Sequence, residues 1–202
     1  VMTGRFIVFE GGEGSGKSTQ SAILADRLDA ILTRQPGGTD IGAALRAILL
    51  DTGTVALAPR AEALLMAADR AQHAAELIRP ALAAERHVVC DRYTYSSVAY
   101  QGHGRGLDPQ RVRDISAWAT EELWPDLVVL LDVDPSAAAT RLVRELDRFE
   151  QAGDEFHRAV RDGFLAQALA EPERWVVIDG TGTVDEVAAA VWAAVEPVME
   201  SE

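Results

Sequence analysis

The chain reads as an α/β protein: a five-stranded parallel sheet with helices on both faces. Three observations predict this. Five short apolar runs are spread along the 202 residues. Segments with apolar residues three and four apart lie between them, as amphipathic helices require. A glycine-rich loop joins the first run to the first such segment. Runs that are continuously apolar, rather than alternating, point to strands covered on both sides, as in parallel sheets with helical crossovers.

The strands are expected at 6–9, 30–32, 87–90, 127–131 and 175–178. The second is the weakest, being short and poor in β-branched residues. Helices are expected at 18–29, 41–50, 59–84, 110–122, 135–144, 155–169 and 184–198. Asp134 followed by Pro135 reads as a capping residue and a first-turn proline. Val112, Ile115, Ala119 and Leu123 form one apolar stripe, and Ala61, Leu64, Leu65 and Ala68 form another. No repeat, low-complexity tract or linker interrupts the chain, so one domain over 1–202 is expected.

The glycine loop is Gly11-Gly12-Glu13-Gly14-Ser15-Gly16-Lys17-Ser18, which fits G-x-x-x-x-G-K-[ST] between a strand and a helix. This is the phosphate-binding P-loop, and it makes the fold a P-loop NTPase type. Its amides and the positive end of the helix converge on one point, where phosphate oxygens sit. Lys17 is the only lysine beside 18 arginines. A compact ammonium can thread under such a loop as a point charge, whereas a planar guanidinium is a poor fit. Ser18 is the expected Mg²⁺ ligand and Thr19 follows it toward the phosphates.

Composition excludes several classes. A net charge of −13 without basic clusters argues against a nucleic-acid partner, but not against a small phosphorylated ligand. One cysteine, Cys90, rules out an internal disulfide and reads as a buried strand thiol. No run approaches a membrane span and no basic-then-apolar leader opens the chain, so a cytoplasmic enzyme is expected. The histidines 73, 87, 103 and 157 lack metal or triad spacing and read as surface or packing residues. The four tryptophans read as core or subunit contacts.

Four further stretches bear on what receives the phosphate. Asp91-Arg92-Tyr93 follows the third strand, at the sheet edge where ligands collect. Asp91 there could steady Mg²⁺ or Lys17, and Arg92 could reach phosphate. Arg34-Gln35-Pro36-Gly37-Gly38 forces a turn after the second strand. Met66 and Arg70, four apart on one helix, share a face and could hold a flat base and a phosphate. Ser97, Tyr100 and Gln101 share another face and could read a base edge and shape a sugar pocket.

Taken in order, FEGGEGSGKSTQ, TRQPGGT, LLMAADRAQH, CDRYTYSSVAYQG and ELDRFE resemble the successive signatures of the bacterial thymidylate kinase family, over nearly the whole chain. The resemblance implies a nucleoside monophosphate kinase-like fold and the reaction ATP + dTMP → ADP + dTDP with Mg²⁺, usually in a homodimer. ATP would lie on Gly11 through Thr19, with Lys17 bridging its phosphates and Ser18 and Asp91 at the metal. Glu13 would sit near the acceptor sugar and phosphate, Arg92 between donor and acceptor, and Arg70 on the dTMP phosphate. Ser97, Tyr100 and Gln101 would line the thymine and deoxyribose pocket beside Met66, with Arg34 and Pro36 closing it.

The resemblance also implies a lid at approximately 141–155. One branch of the family carries a transfer-assisting arginine in the loop where this chain has Gly14. The branch with glycine there supplies the arginine from the lid, and Arg144 and Arg148 are the candidates, Arg148 the stronger. Two departures stand out: Gln35 replaces a glutamate usual in the family, and Met66 stands where phenylalanine commonly stacks on thymine. Another small P-loop kinase and a nucleotide-dependent switch remain alternatives. A GTPase switch is excluded, because Asn-Lys-x-Asp needs a second lysine.

Overall fold

The computed structural model describes residues 4–53, 57–141 and 147–200. Its sheet has five parallel strands in the order β2-β3-β1-β4-β5. They are β1 (Phe6–Glu10), β2 (Ile31–Arg34), β3 (Val88–Asp91), β4 (Leu127–Asp132) and β5 (Trp175–Asp179). The strand placed least firmly by sequence, β2, is an edge strand. With Leu32 and Arg34 exposed it needs no continuous apolar run. The central β1 is buried along its whole length.

Alternate β1 side chains build opposite cores. Ile7 and Phe9 meet α1 (Lys17–Leu28) and α9 (Val184–Glu200) through Leu24, Val187 and Val191. Phe6 and Val8 pack with Val88, Cys90, Tyr93 and Ile78. Cys90 is fully buried, as expected. A further cluster joins Val128 and Leu130 of β4 to Tyr95, Phe164 and Trp175. Because the crossovers leave β1 toward both sides of the sheet, the loop after it opens at the C-terminal sheet edge. Register sets Phe9 opposite both Asp91 and Val129, so the ends of β1 and β3 lie side by side there.

The remaining helices are α2 (Asp40–Leu50), α3 (Pro59–His73), α4 (Arg79–Ala83), α5 (Thr94–Ser97), α6 (Pro109–Thr120), α7 (Pro135–Ala139) and α8 (Asp154–Ala170). Two differ from simple periodicity. The helix expected over 59–84 widens into a π-helical segment at Ala74–Ile78, between α3 and α4. A second π segment, Val98–Gly104, follows α5 and carries Tyr100 and Gln101. Such widened turns often accompany functional sites. The cap at Asp134 forms as expected, its carboxylate accepting from Ser136 N at 2.9 Å. Part of the helix expected over 135–144 lies outside the described residues.

One apolar stripe is corrected. Leu64 is 57% exposed and Ala68 is also exposed, while α3 buries Glu62, Ala63, Ala67, Asp69, Arg70 and His73. The inner face of α3 is largely polar: Arg70 lines the cleft, while Glu62, Asp69 and His73 are buried behind it in hydrogen bonds to other elements. Trp118 is likewise not core, at 81% exposed.

Candidate active site

The phosphate loop needs its glycines for local reasons. Gly11 has φ +145°, and a Cβ there would stand 2.6 Å from the Leu131 carbonyl oxygen. Gly14 has φ +71°, and its Cβ would stand 2.5 Å from the Ala138 carbonyl oxygen. An arginine at position 14 therefore does not fit this backbone. Gly16 begins α1, so the helix N-terminus faces the loop. The Lys17 ammonium is nearly buried and donates to Gly12 O at 2.6 Å and Ser15 Oγ at 3.3 Å. Burial and then Arg92 push its pKa down to about 8, against the pull of Glu13, Asp91 and Glu10.

Ser18 Oγ donates to Asp91 Oδ2 at 2.5 Å, so the two expected metal-site residues meet. Among the described residues no group of three or more His, Cys, Asp or Glu could cage a metal. One hydroxyl beside one carboxylate instead suits Mg²⁺, which keeps waters and takes its other ligands from nucleotide phosphates. Next in sequence, Arg92 reaches back to the loop. Its Nη1 donates to Gly11 O at 2.9 Å and its Nη2 to Glu13 Oε1 at 2.6 Å. The Tyr100 hydroxyl donates to the same Glu13 oxygen at 2.8 Å. Burial works to raise the Glu13 carboxyl, but Arg92, then Lys17 and the Tyr100 hydroxyl, hold it at about 2.

Arg70 lies at the other end of the cleft. It is buried, and four of its five N–H groups have protein partners. Nε donates to Gln35 Oε1 at 3.0 Å, Nη1 to Ser116 Oγ at 3.0 Å, and Nη2 to Ser97 Oγ at 2.8 Å and Tyr93 O at 3.4 Å. None of these partners belongs to the phosphate loop. The neighbouring Asp69 accepts from Gly37 N at 2.9 Å and so pins the Pro-Gly-Gly turn. Arg34, Pro36, Met66, Ser97, Tyr100 and Gln101 all line the same cleft, which has a volume of about 680 Å³.

The lid residues divide. Arg144 lies outside the described residues. Arg148 does not line the cleft; its Nη1 donates to Glu62 Oε2 at 2.6 Å and its Nε to Leu49 O at 2.9 Å. Asp147, Phe149 and Glu150 do line it, as does Arg141, whose Nη1 donates to Gly180 O at 2.9 Å.

Several site residues escaped sequence reasoning. Arg46 lines the cleft and donates to Pro36 O at 2.8 Å. Its signal was available: it is the only basic residue of the otherwise mostly apolar α2. Glu10, at the end of β1, accepts from Tyr93 N and from Ser96 N and Oγ, and burial lifts its carboxyl to about 7. His73 is fully buried and contacts Thr33 and Gln35. Glu62 reads in sequence as an ordinary first-turn acid, yet it is 1% exposed.

Chemically, the cleft joins a phosphate cradle to an enclosed polar pocket, with Arg92 and Glu13 at the junction. That arrangement suits in-line transfer between two phosphorylated ligands. A family model described as thymidylate kinase matches residues 9–191. The chain is 50% identical over 203 residues to the thymidylate kinase of Bifidobacterium longum strain NCC 2705, covering 96% of this chain and 97% of that one. It is 52% identical over 208 residues to the thymidylate kinase of Solidesulfovibrio magneticus, covering 96% and 100%. A crystal structure of thymidylate kinase from Ehrlichia chaffeensis superposes with a TM-score of 0.81 at 31% identity, covering 96% and 99%.

Proposed function

The chain belongs to the thymidylate kinase family, and from that premise we propose that it moves the γ-phosphoryl group of ATP onto dTMP through the residues of this one cleft. The observation that carries the reading is the Arg92–Glu13 junction. Arg92 touches the phosphate loop at Gly11 and Glu13 and the 93–101 stretch at Ser96, and Tyr100 of that stretch donates to the same Glu13 oxygen. An acceptor phosphate held there lies next to the γ-phosphate of a nucleotide on Gly11 through Thr19.

In the transfer, an oxygen of the dTMP phosphate bonds to the γ-phosphorus as the bond to the ADP oxygen breaks. No protein atom bonds to the group, so the protein supplies position and positive charge. Lys17 offsets charge on the nucleotide phosphates, and Arg92 offsets it where donor and acceptor meet. Mg²⁺ at Ser18 and Asp91 would supply further charge neutralisation when bound. Arg46 adds a cation on the acceptor side. Among the described residues Arg70 leaves one N–H uncommitted, which suits a single acceptor atom of dTMP better than a phosphate clamp. Met66 offers a thioether to the face of the base. Arg148, with Arg144 as second candidate, would swing in from the lid.

The enzyme would work in the cytoplasm, as one domain with a lid at approximately 141–155 and no nucleic-acid partner. No described helix is long and apolar enough to cross a membrane. A homodimer is supported by exposed Ile41 and Ile48 on α2, Leu64 on α3 and Trp118 on α6, helices that pack together. A purely monomeric sedimentation profile would remove that part.

The test is ADP release from Mg-ATP with dTMP, dUMP, UMP, dCMP and dGMP, each against a blank without acceptor. Strong stimulation by dTMP is expected. Stimulation only by another monophosphate would keep the transfer chemistry and overturn the base assignment. Stimulation by none would leave a nucleotide switch.

A further inference from the structure

We infer that Glu62 is a positioning residue for base selection: its buried carboxylate holds the Gln101 amide so that the carbonyl oxygen, not the amino group, faces the acceptor pocket. The inference rests on the reading of this cleft as the dTMP site.

Glu62 stands in the first turn of α3, four residues before Met66 and therefore on the same face. Met66 and Gln101 line the cleft, whereas Glu62 sits behind them. Its Oε1 accepts from Gln101 Nε2 at 2.9 Å and from Arg105 Nε at 3.3 Å. Its Oε2 accepts from Arg148 Nη1 at 2.6 Å. A carboxylate bound by two guanidinium groups offers acceptors only. The amino end of Gln101 must therefore turn toward it, because a flipped amide would set oxygen against oxygen.

The consequence appears on the other side of the amide. Gln101 Oε1 is buried and, among the described residues, has no hydrogen-bond partner, although the residue lines the cleft. A buried acceptor left unpaired is costly, so the site favours a ligand that brings a donor. Thymine and uracil carry an N–H at ring position 3. Cytosine carries a lone pair there and would meet the carbonyl oxygen with repulsion. An amide free to flip would accept either edge. Selectivity here thus depends on a group that need not touch the base, and part of it is repulsive.

Glu62 also holds Arg148, so lid anchoring must be separated from amide orientation. The ratio of kcat/KM for dTMP to that for dCMP does this in Glu62→Gln and in Arg148→Met. Glu62→Gln replaces an acceptor oxygen by an amino group and lets the Gln101 amide turn either way. Its ratio should fall by about tenfold or more, the order expected when one pocket hydrogen bond loses its polarity. Arg148→Met should lower turnover with both substrates and keep the ratio within about twofold. An unchanged ratio in Glu62→Gln, or an equal fall in Arg148→Met, would overturn the inference. Should Glu62→Gln fail to fold, the side-chain amide protons of wild-type Gln101, assigned by their loss in Gln101→Leu, decide it. The proton bound to Glu62 should exchange more slowly than the other before nucleotide is added, and equally free exchange of both would count against Glu62. Failure of the wild type to phosphorylate dTMP would instead strike the proposed function.

Discussion

The two ends of the cleft are made differently. The phosphate end is eight consecutive residues, Gly11 through Ser18 with Lys17 among them, whose shape follows from glycine backbone angles. The acceptor end is a web of side chains drawn from β2, α2, α3, the 93–101 stretch and α6, tied by Gln35, Arg70, Ser97, Ser116 and Glu62. The loop takes its form mainly from its own backbone, with Arg92, Tyr100 and Asp91 attached at its rim. The acceptor end has no such backbone frame, so its substitutions should be more strongly non-additive than those within the loop.

Lys17→Ala is the severest challenge to that contrast. With no other lysine in the chain, and with the neighbouring Arg92 already committed to Gly11 O, Ser96 and Glu13, kcat should fall by roughly 10²–10³ while dTMP affinity changes little. Turnover near normal would remove Lys17 from the mechanism and with it the idea that the loop works as a self-contained unit.

Arg148→Ala sharpens the contrast from the lid side. In the described conformation Arg148 is bound to Glu62 and Leu49, away from the cleft. If its task is to swing in and stabilise charge during transfer, kcat should drop by about 10²-fold with a much smaller change in KM for dTMP. A change confined to KM would mean that Arg148 serves only to buttress Glu62 and the pocket behind it.

The same contrast explains what was legible in the sequence. Strand–loop–helix punctuation made the phosphate end readable from residue types alone, down to Ser18 and its partner Asp91. The acceptor residues were gathered chiefly by family resemblance, because their spacing in sequence says nothing of their convergence. Ala61, Leu64, Leu65 and Ala68 read as one apolar stripe, but apolar periodicity cannot distinguish a core face from an exposed one, and Leu64 and Ala68 are exposed. The true inner face of α3 carries Glu62, Asp69, Arg70 and His73, whose burial depends on hydrogen bonds supplied by other elements. Arg148 is expected as a lid arginine only from the family resemblance, and its partner Glu62, 86 positions away, has no signal in the sequence.

His73 gives the smallest effect and the most local test of the web. Arg70 can only donate, so Gln35 turns its carbonyl oxygen toward Arg70 and its amino group toward His73 Nδ1, 2.9 Å away. Nδ1 must then hold a lone pair, and the ring proton sits on Nε2, which donates to Thr33 Oγ1 at 2.7 Å. Burial, and after it Arg70, push His73 down to about 4. Since this lies below the value near 6.5 of an unfolded histidine, the unfolded chain binds more protons between the two values. The neutral-histidine contribution is thus fully present above pH ~6.5 and lost as pH falls through 4. Glu10, raised to about 7 by burial, runs the other way, its contribution being lost as pH rises through 7. A wild-type curve alone would mix the two, so the measurement is a difference. Urea unfolding of wild type and His73→Gln from pH 7 to 4 should show wild type losing about 2 kcal/mol more. Gln35→Glu should shrink that loss, because a carboxylate facing Nδ1 would stabilise the protonated ring. Parallel curves for wild type and His73→Gln would mean that the histidine is not held neutral, and that Gln35 does not orient Arg70 in the way described.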